Sequence, residues 1–167
     1  MSTNSGWREH SLAVGARQLA YRIHGSDTGL PVIALHGWRD NAGSFETLGP
    51  LLPALRLIAL DLPGHGLSSW RDADGEYYIW SYVEEVVAVA TALGLSRFSV
   101  LGHSMGGAIG ALLAGLLPER IERLALFVIA SVDDRYPNAD WTSDGPQRLG
   151  SPRRSRGGER VAQLEGR

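Results

Sequence analysis

The 167-residue sequence contains no cysteine and no lysine, and these two absences exclude several kinds of protein chemistry. Without cysteine there is no disulfide framework, thiolate nucleophile, iron–sulfur cluster or Cys-built zinc site. All 16 basic residues are arginine, which excludes a Walker-type phosphate loop and a Schiff-base lysine. The side chains that remain for chemistry are those of Ser, His, Asp, Glu and Tyr, together with the backbone. We expect neither a metal site nor a cofactor.

Long apolar runs and a large excess of one charge are also missing. The longest apolar stretch, residues 105–117, is rich in glycine and shorter than the ~20 residues that span a bilayer. Residues 1–7 are polar and lack the pattern of a secretory signal. The formal net charge of −2 gives no reason to expect nucleic acid or an anionic membrane as a partner. We therefore expect a soluble, cytoplasmic protein that binds neither nucleic acid nor membranes.

Short apolar runs alternate with helical patterns along most of the chain. Residues 17–24 alternate between apolar and polar, as in a half-buried strand, whereas the later runs are continuously apolar, as in parallel strands buried on both faces. Strands that alternate with helices indicate β–α–β units. The pattern therefore predicts an α/β fold with a mostly parallel sheet. The predicted strands are 11–14, 17–24, 31–35, 57–60, 98–101 and 124–130, and the predicted helices are 44–52, 79–93 and 106–117.

The composition changes near residue 144, which predicts one folded domain over residues 1–143 and a disordered tail over residues 144–167. The tail has six arginines, three acidic residues and no aromatic residue. Its few apolar side chains are too few to offset the entropy lost on ordering. Residues 148–160 also suggest an RNA-binding segment, but the stretch is short and lacks interleaved aromatics. A solvated tail is the favoured interpretation.

The sequence Gly102-His103-Ser104-Met105-Gly106 fits the pattern G-x-S-x-G, and it lies between a predicted strand and a Gly-rich predicted helix. A sharp turn at this junction forces strained backbone angles on the serine and exposes its hydroxyl group. Glycine is needed on both sides because a side chain there would collide with the neighbouring strand and helix. This context favours Ser104 as a nucleophile.

The stretch Leu35-His36-Gly37-Trp38 ends the predicted strand 31–35. Gly37 lets the chain turn, so that the backbone N–H of Trp38 can join that of Met105 in a two-donor oxyanion hole. We expect His36 to hold the loop by hydrogen bonds rather than to transfer protons.

A third motif, residues 61–68, follows the predicted strand 57–60. Its Pro-Gly pair and second glycine specify a tight turn, which the carboxylate of Asp61 can cap. We expect His65 to stabilise this turn rather than to act in catalysis.

These three motifs, in this order and each at the end of a strand, resemble the N-terminal half of an α/β-hydrolase over about residues 10–126. The similarity is closest to the serine hydrolase-like and esterase branch, which has a similar His36-Gly37-Trp38-x-Asp40-Asn41 stretch. Serine at position 104 separates the chain from the haloalkane dehalogenase and epoxide hydrolase branches, which use a carboxylate nucleophile. The resemblance implies acyl transfer, in which Ser104 attacks a small ester-like substrate and the amides of Trp38 and Met105 stabilise the oxyanion.

The catalytic histidine of the family is missing from this sequence. In the family the catalytic residues follow the order Ser, acid, His along the chain, whereas no histidine follows Ser104 here. Asp133 and Asp134 follow the last predicted strand, where some members place the acid, but loop solvation is the favoured interpretation. Two hypotheses stay open: a serine hydrolase acting on carboxylic esters, and a catalytically inactive fragment or pseudoenzyme that binds a ligand or partner. The five histidines are His10, His24, His36, His65 and His103.

The family sheet continues past a sixth strand and carries a lid, whereas only six strands are predicted here. We therefore expect a truncated or frameshifted hydrolase. Its last strand, 124–130, would be an uncovered apolar edge, and such an edge is prone to pair with another chain. Self-association through this edge is the expected consequence.

Overall fold

The computed structural model describes residues 6–71 and 75–127. Within this part, the chain forms six strands and two helices, with two short 3-10 turns, Ala42–Phe45 and Gly49–Leu51, in one loop. The strands are β1 (Arg8–Val14), β2 (Arg17–His24), β3 (Leu30–Leu35), β4 (Leu55–Leu60), β5 (Phe98–His103) and β6 (Ile121–Phe127), and the helices are α1 (Ile79–Ala92) and α2 (Met105–Leu116).

The strands form a single sheet in the order β1–β2–β4–β3–β5–β6. β1 and β2 form an antiparallel hairpin that turns at Gly15, whose φ is +61°. β2 is antiparallel to β4. The other four strands, β4, β3, β5 and β6 in their order across the sheet, are parallel to one another. This arrangement confirms the predicted α/β fold with a mostly parallel sheet.

The register of the sheet brings three loops to one edge. Leu35, at the end of β3, pairs with Leu60 of β4 on one side and with Gly102 of β5 on the other. The residues that follow β3 and β4, and those at the end of β5, therefore meet at the carboxyl edge of the sheet. This is the edge where open α/β sheets bind their ligands.

Both faces of the central strands are buried, as their continuous apolar sequences predict. Ile33 and Leu35 lie in the apolar cluster that includes α1 and α2, whereas Val32 and Ala34 lie in a second cluster with Trp7 and Phe45. Alternate residues of one strand thus face opposite layers, as the two-residue period of a strand requires. The sheet is a rigid support for the loops at its edge.

Helix boundaries follow local signals in the sequence. α1 is capped at Leu93 and followed by Gly94, whose φ of +71° suits the left-handed position that commonly ends a helix. α2 ends just before Pro118. Its Gly110 permits close packing on the sheet, since a Cβ there would lie 2.9 Å from Leu124 and 3.0 Å from Val100.

Three predictions about local structure are wrong. The segment 44–52 forms the two 3-10 turns and not one helix, because Pro50 and Pro53 flank Leu51 and Leu52 and interrupt helical hydrogen bonding. The first and the last strand each begin three residues earlier than predicted, at Arg8 and Ile121.

Several predictions lie outside the described residues. They concern the end of the last predicted strand (128–130), Asp133, Asp134 and the tail 144–167. Within the described part, no helix is both long enough and apolar enough to cross a membrane.

Candidate active site

Ser104 lies at the junction of β5 and α2 with φ 50° and ψ −113°. Among the described residues other than glycine, only Ser104 and Arg39 have a positive φ. Such a conformation costs about 1–3 kcal/mol and persists only where the surrounding structure holds it. Here the N–H of Ser104 donates to the carbonyl of Phe127 (3.0 Å), and its own carbonyl accepts from the N–H of Gly107 (2.9 Å) and Ala108 (3.2 Å). The side chain of Ser104 is exposed.

The flanking glycines are required for the reason that the sequence predicts. A Cβ on Gly102 would lie 2.5 Å from the carbonyl oxygen of Gly106 and 2.6 Å from the Cα of Gly107. A Cβ on Gly106 would overlap the backbone of Leu35 in β3. Close packing between β3, β5 and the first turn of α2 therefore depends on the absence of both side chains.

The loop after β3 lies beside this turn. The N–H of Gly106 donates to the carbonyl of His36 at 3.1 Å. A Cβ on Gly37 would lie 3.4 Å from the Cβ of Ser104 and 3.1 Å from Nδ1 of His103. Within residues 6–71 and 75–127, neither the N–H of Trp38 nor that of Met105 has a hydrogen-bond acceptor. Within this part of the chain, both amides can donate to an acceptor that enters the site.

His36 is fully buried and holds two loops together. The N–H of Leu62 donates to its Nε2 at 3.0 Å, so the ring proton is on Nδ1, which lies 2.7 Å from the carbonyl oxygen of Gly37. Burial lowers the pKa of His36, with a contribution from nearby His65, although the hydrogen bond to Gly37 opposes the shift. A neutral ring with both nitrogens occupied cannot also accept a proton from Ser104.

The buried carboxylate of Asp61 organises the loop after β4. It accepts hydrogen bonds from the N–H of Ala42 (2.7 Å) and of Leu67 (2.8 Å), which caps the turn in the way that the sequence predicts. Gly66 has a φ of +53°, and a Cβ there would overlap the Asp61 carboxylate. Asp61 thus joins the loops after β3 and β4, because each of its oxygens accepts a hydrogen bond from a backbone N–H of one of these loops.

The remaining histidines lie in different parts of the structure. His65 has Nδ1 3.1 Å from the carbonyl of Pro63, and its ring packs against those of His36 and Trp38. His10 stacks on Tyr21 and His24 packs against Trp7, both in the region of the hairpin. Only His103 is adjacent to Ser104. The Ser104 hydroxyl makes no hydrogen bond within the described part of the chain.

Asp40 is a residue whose role the sequence does not reveal. Its Oδ2 accepts a hydrogen bond from the Ser44 hydroxyl (2.5 Å) and lies 4.0 Å from Nδ1 of His103, while its Oδ1 accepts from the N–H of Asn41 (2.9 Å). Burial acts to raise the pKa of Asp40, but these hydrogen bonds and the nearby His36 and His103 outweigh it and hold the pKa below its ordinary value. The carboxylate is therefore ionised at neutral pH.

Two cavities flank the loop that contains Asp40. The larger, of about 530 Å³, is hereafter the aromatic cavity, and the smaller has a volume of about 460 Å³. Asp40 lines both of them. The aromatic cavity is lined by Trp38, Arg39, Asp40, Asn41, Gly64, His65, Gly66, Trp70 and Tyr77, and the smaller cavity by Asp40, Ser44, Phe45, Leu48, His103 and Phe127.

A buried ion cluster of Glu85, Arg71 and Arg17 contacts one wall of the aromatic cavity. Glu85 of α1 pairs with Arg71 at 2.7 Å and with Arg17 at 2.9 Å, and the side chains of Glu85 and Arg71 are only 4% and 6% exposed. Arg71 also lies over the ring of Tyr77, with 5.1 Å to the centroid, and its backbone N–H donates to the Tyr77 hydroxyl. The wall of the cavity is therefore tied to α1.

This cluster is absent from the sequence-based predictions, although the sequence holds a weak signal for it. Glu85 lies three positions after Tyr82 on the apolar stripe of α1, where a charged residue needs a partner. Burial raises the pKa of Glu85, while Arg71 and Arg17 oppose the rise. Burial also raises the pKa of the neighbouring Tyr82 to about 12.

The geometry defines a class of protein: a mostly parallel α/β sheet with an exposed serine in a strained turn between a strand and a helix, and two nearby amides that have no acceptor among the described residues. Comparisons with known proteins agree with this class. The family model described as "alpha/beta hydrolase fold" matches residues 31–156. The chain belongs to the α/β-hydrolase family.

Individual relatives show how much of a family member the chain represents. It is 43% identical over 137 residues to a serine hydrolase-like protein of Danio rerio, covering 78% of this chain and 42% of the relative. The solved structure of a hypothetical protein from Pseudomonas aeruginosa PAO1 is 52% identical and has a TM-score of 0.70. The match covers 71% of this chain and 42% of that protein. The structure of a membrane phospholipase A is 35% identical and has a TM-score of 0.70. That match covers 73% of this chain and 39% of the phospholipase. The chain thus spans about two fifths of the length of these three proteins.

Proposed function

We propose that the protein is a serine hydrolase that acts on carboxylic esters through an acyl-enzyme intermediate, with Ser104 as the nucleophile. The observation that carries this proposal is the backbone of Ser104, whose φ of 50° is held by three hydrogen bonds at the junction of β5 and α2. A strained serine with an exposed hydroxyl at this position is the arrangement expected of a nucleophile elbow. The names of the relatives, a serine hydrolase-like protein and a phospholipase A, support the same activity.

The proposed chemistry begins with attack of the Ser104 Oγ on the carbonyl carbon of the ester. The N–H groups of Trp38 and Met105, which have no acceptor in the described part, would donate to the oxyanion that forms. The first turn of α2 adds its positive dipole end to the same region. Cleavage of the carbon–oxygen bond releases the alcohol with a proton and leaves the acyl group on Ser104. Water then hydrolyses this second ester and regenerates the hydroxyl.

The proposed mechanism also needs a general base for the Ser104 hydroxyl. Every histidine of the sequence precedes Ser104. Of these, His36 has both ring nitrogens occupied, whereas His103 adjoins the serine and lies 4.0 Å from the ionised Asp40. We propose His103 as the first residue to test as a base, with Asp40 as the carboxylate that would stabilise its charged form.

Covalent labelling with a fluorophosphonate, read by intact mass, tests the proposal directly. Activated serine displaces fluoride and gains the phosphonyl group, so one mass addition is expected on the parent protein and none on Ser104→Ala. Circular dichroism of both proteins establishes that they are folded. His103→Gln should slow labelling strongly if its ring is the base, while Asp40→Asn should slow it less.

An active serine hydrolase and a catalytically inactive fragment or pseudoenzyme are expected to give opposite results in this experiment. Labelling that depends on Ser104 supports an active serine hydrolase, and hydrolysis of short-chain carboxylic esters should then be measurable. A folded protein that takes up no label contradicts the proposed activity for this chain. Labelling that survives Ser104→Ala places the reactive group elsewhere and contradicts the assignment of the nucleophile.

A further inference from the structure

We propose that the aromatic cavity binds a planar aromatic group of the ester substrate. This inference rests on the proposed function and goes beyond it by naming a substrate class. Three aromatic side chains line the cavity, those of Trp38, Trp70 and Tyr77. The backbone N–H of Trp38 is one of the two proposed oxyanion donors and its side chain lines the cavity, so the cavity and the proposed oxyanion hole share this residue.

The volume of the cavity suits a single ring with a short linker. At about 530 Å³ it falls within the range of small-molecule sites, which are typically ~300–1,000 Å³. Trp38 and Trp70 are 61% and 75% exposed, which is unusual for so large an apolar side chain in a folded domain. Exposed tryptophans that border one concave space offer aromatic faces to a ligand, and stacking on such faces adds to the effect of apolar burial.

The walls of the cavity are held in place before a ligand binds. The Trp38 ring packs edge-on against His65, with 5.4 Å between the centroids. Tyr77 is fixed by Arg71, and a Cβ on Gly64 would lie only 2.7 Å from its ring. Fixed walls reduce the ordering entropy that binding would otherwise cost.

The charges at the cavity favour a neutral ring over a cationic group. Asp40 is ionised, but its two oxygens already accept hydrogen bonds from Asn41 and Ser44. The adjacent Arg39 brings a positive charge to the same cavity and has no salt-bridge partner in the described part. Aromatic walls with a free carboxylate would suit a quaternary ammonium ion, whereas here the guanidinium opposes one.

Binding to Ser104→Ala, measured by titration calorimetry, tests the proposal without requiring turnover. Two matched pairs of esters isolate the aromatic contribution: benzyl acetate against cyclohexylmethyl acetate, and methyl phenylacetate against methyl cyclohexylacetate. The saturated rings are at least as apolar, so tighter binding of the aromatic member points to stacking and not to burial alone. We expect about fivefold tighter binding of the aromatic ester in at least one pair.

Three tryptophan variants identify the site. Trp38→Ala and Trp70→Ala should each weaken binding of the preferred aromatic ester about tenfold. Trp80→Ala is the matched control, because Trp80 is 62% exposed on α1 and does not line the cavity. Its binding should equal that of the parent.

Several results would overturn the proposal. They are equal or tighter binding of the saturated ester in both pairs, an equal loss in Trp80→Ala, and tighter binding of acetylcholine than of either aromatic ester. These results are independent of fluorophosphonate labelling, because the binding experiment uses a protein without the Ser104 hydroxyl. Failure of the aromatic site and failure of the proposed hydrolase activity can therefore be told apart.

Discussion

The backbone N–H of Gly106 donates a hydrogen bond of 3.1 Å to the carbonyl oxygen of His36. This bond joins the first turn of α2, which contains Met105, to the loop after β3, which contains Trp38. Its formation depends on close approach of α2 to β3, which the missing side chain of Gly106 permits.

Replacement of Gly106 should therefore destabilise the protein. In Gly106→Ala the new Cβ overlaps the backbone of Leu35, which a rigid strand cannot easily avoid. We expect the free energy of unfolding, measured by urea denaturation, to fall by about 1–3 kcal/mol. Gly115→Ala in the same helix is the matched control, since a Cβ at Gly115 meets nothing within 4 Å. This substitution should raise the free energy of unfolding by up to ~1 kcal/mol. Equal effects of the two substitutions would contradict the packing argument.

His36 should make stability depend on pH. Because burial lowers its pKa in the folded state, the unfolded chain binds a proton at a higher pH than the folded one. The contribution of His36 is therefore fully present above about pH 6.5 and is lost as the pH falls towards the lowered value. The stability difference between the parent and His36→Asn should shrink over this range, with a slope of at most about 1.4 kcal/mol per pH unit. A difference that stays constant from pH 8 to pH 5 would contradict the prediction.

Removal of Glu85 should be costly because it leaves Arg71 buried without a counter-charge. The two side chains are 4% and 6% exposed and 2.7 Å apart. We expect Glu85→Ala to reduce the free energy of unfolding by about 3–5 kcal/mol. Glu84→Ala changes the exposed neighbour on the same helix and should have an effect within about 0.5 kcal/mol. If the double variant Glu85→Leu/Arg71→Met is no more stable than Glu85→Ala, the unpaired charge is not the cause.

Self-association through the edge of the sheet remains a prediction. Within the described part, β6 pairs only with β5, and Leu126 and Phe127 are about half exposed. We expect sedimentation velocity to show concentration-dependent association that Phe127→Arg reduces, because a charge on an edge strand opposes pairing. Leu51→Arg, at an exposed leucine away from the sheet edge, should leave the association unchanged. A parent protein that is monomeric at all concentrations would contradict the prediction.

Local patterns were sufficient for the parts of the fold that repeat or that need a special residue. The bounds of β2 agree with the predicted strand, and Gly94 and Pro118 stand where α1 and α2 end. The predicted helix over 44–52 is wrong because Pro50 lies within the segment and Pro53 directly follows it, and proline interrupts helical hydrogen bonding. The signal for Glu85 was present as a charge on an apolar stripe, but only its partners, 14 and 68 positions away, explain it.

The sequence by itself determined the α/β class, the strand-turn-helix at Ser104 and the need for glycine on both sides, because these features depend on local periodicity and backbone sterics. Only the tertiary structure decided what lies around that turn. The sheet register places Leu35 beside Gly102, and this brings His103 close to Asp40, which lies 63 positions earlier in the loop after β3. The aromatic cavity likewise joins Trp38 to Trp70 and Tyr77. Such contacts depend on strand order and on the distances between loops, which no single segment of sequence encodes.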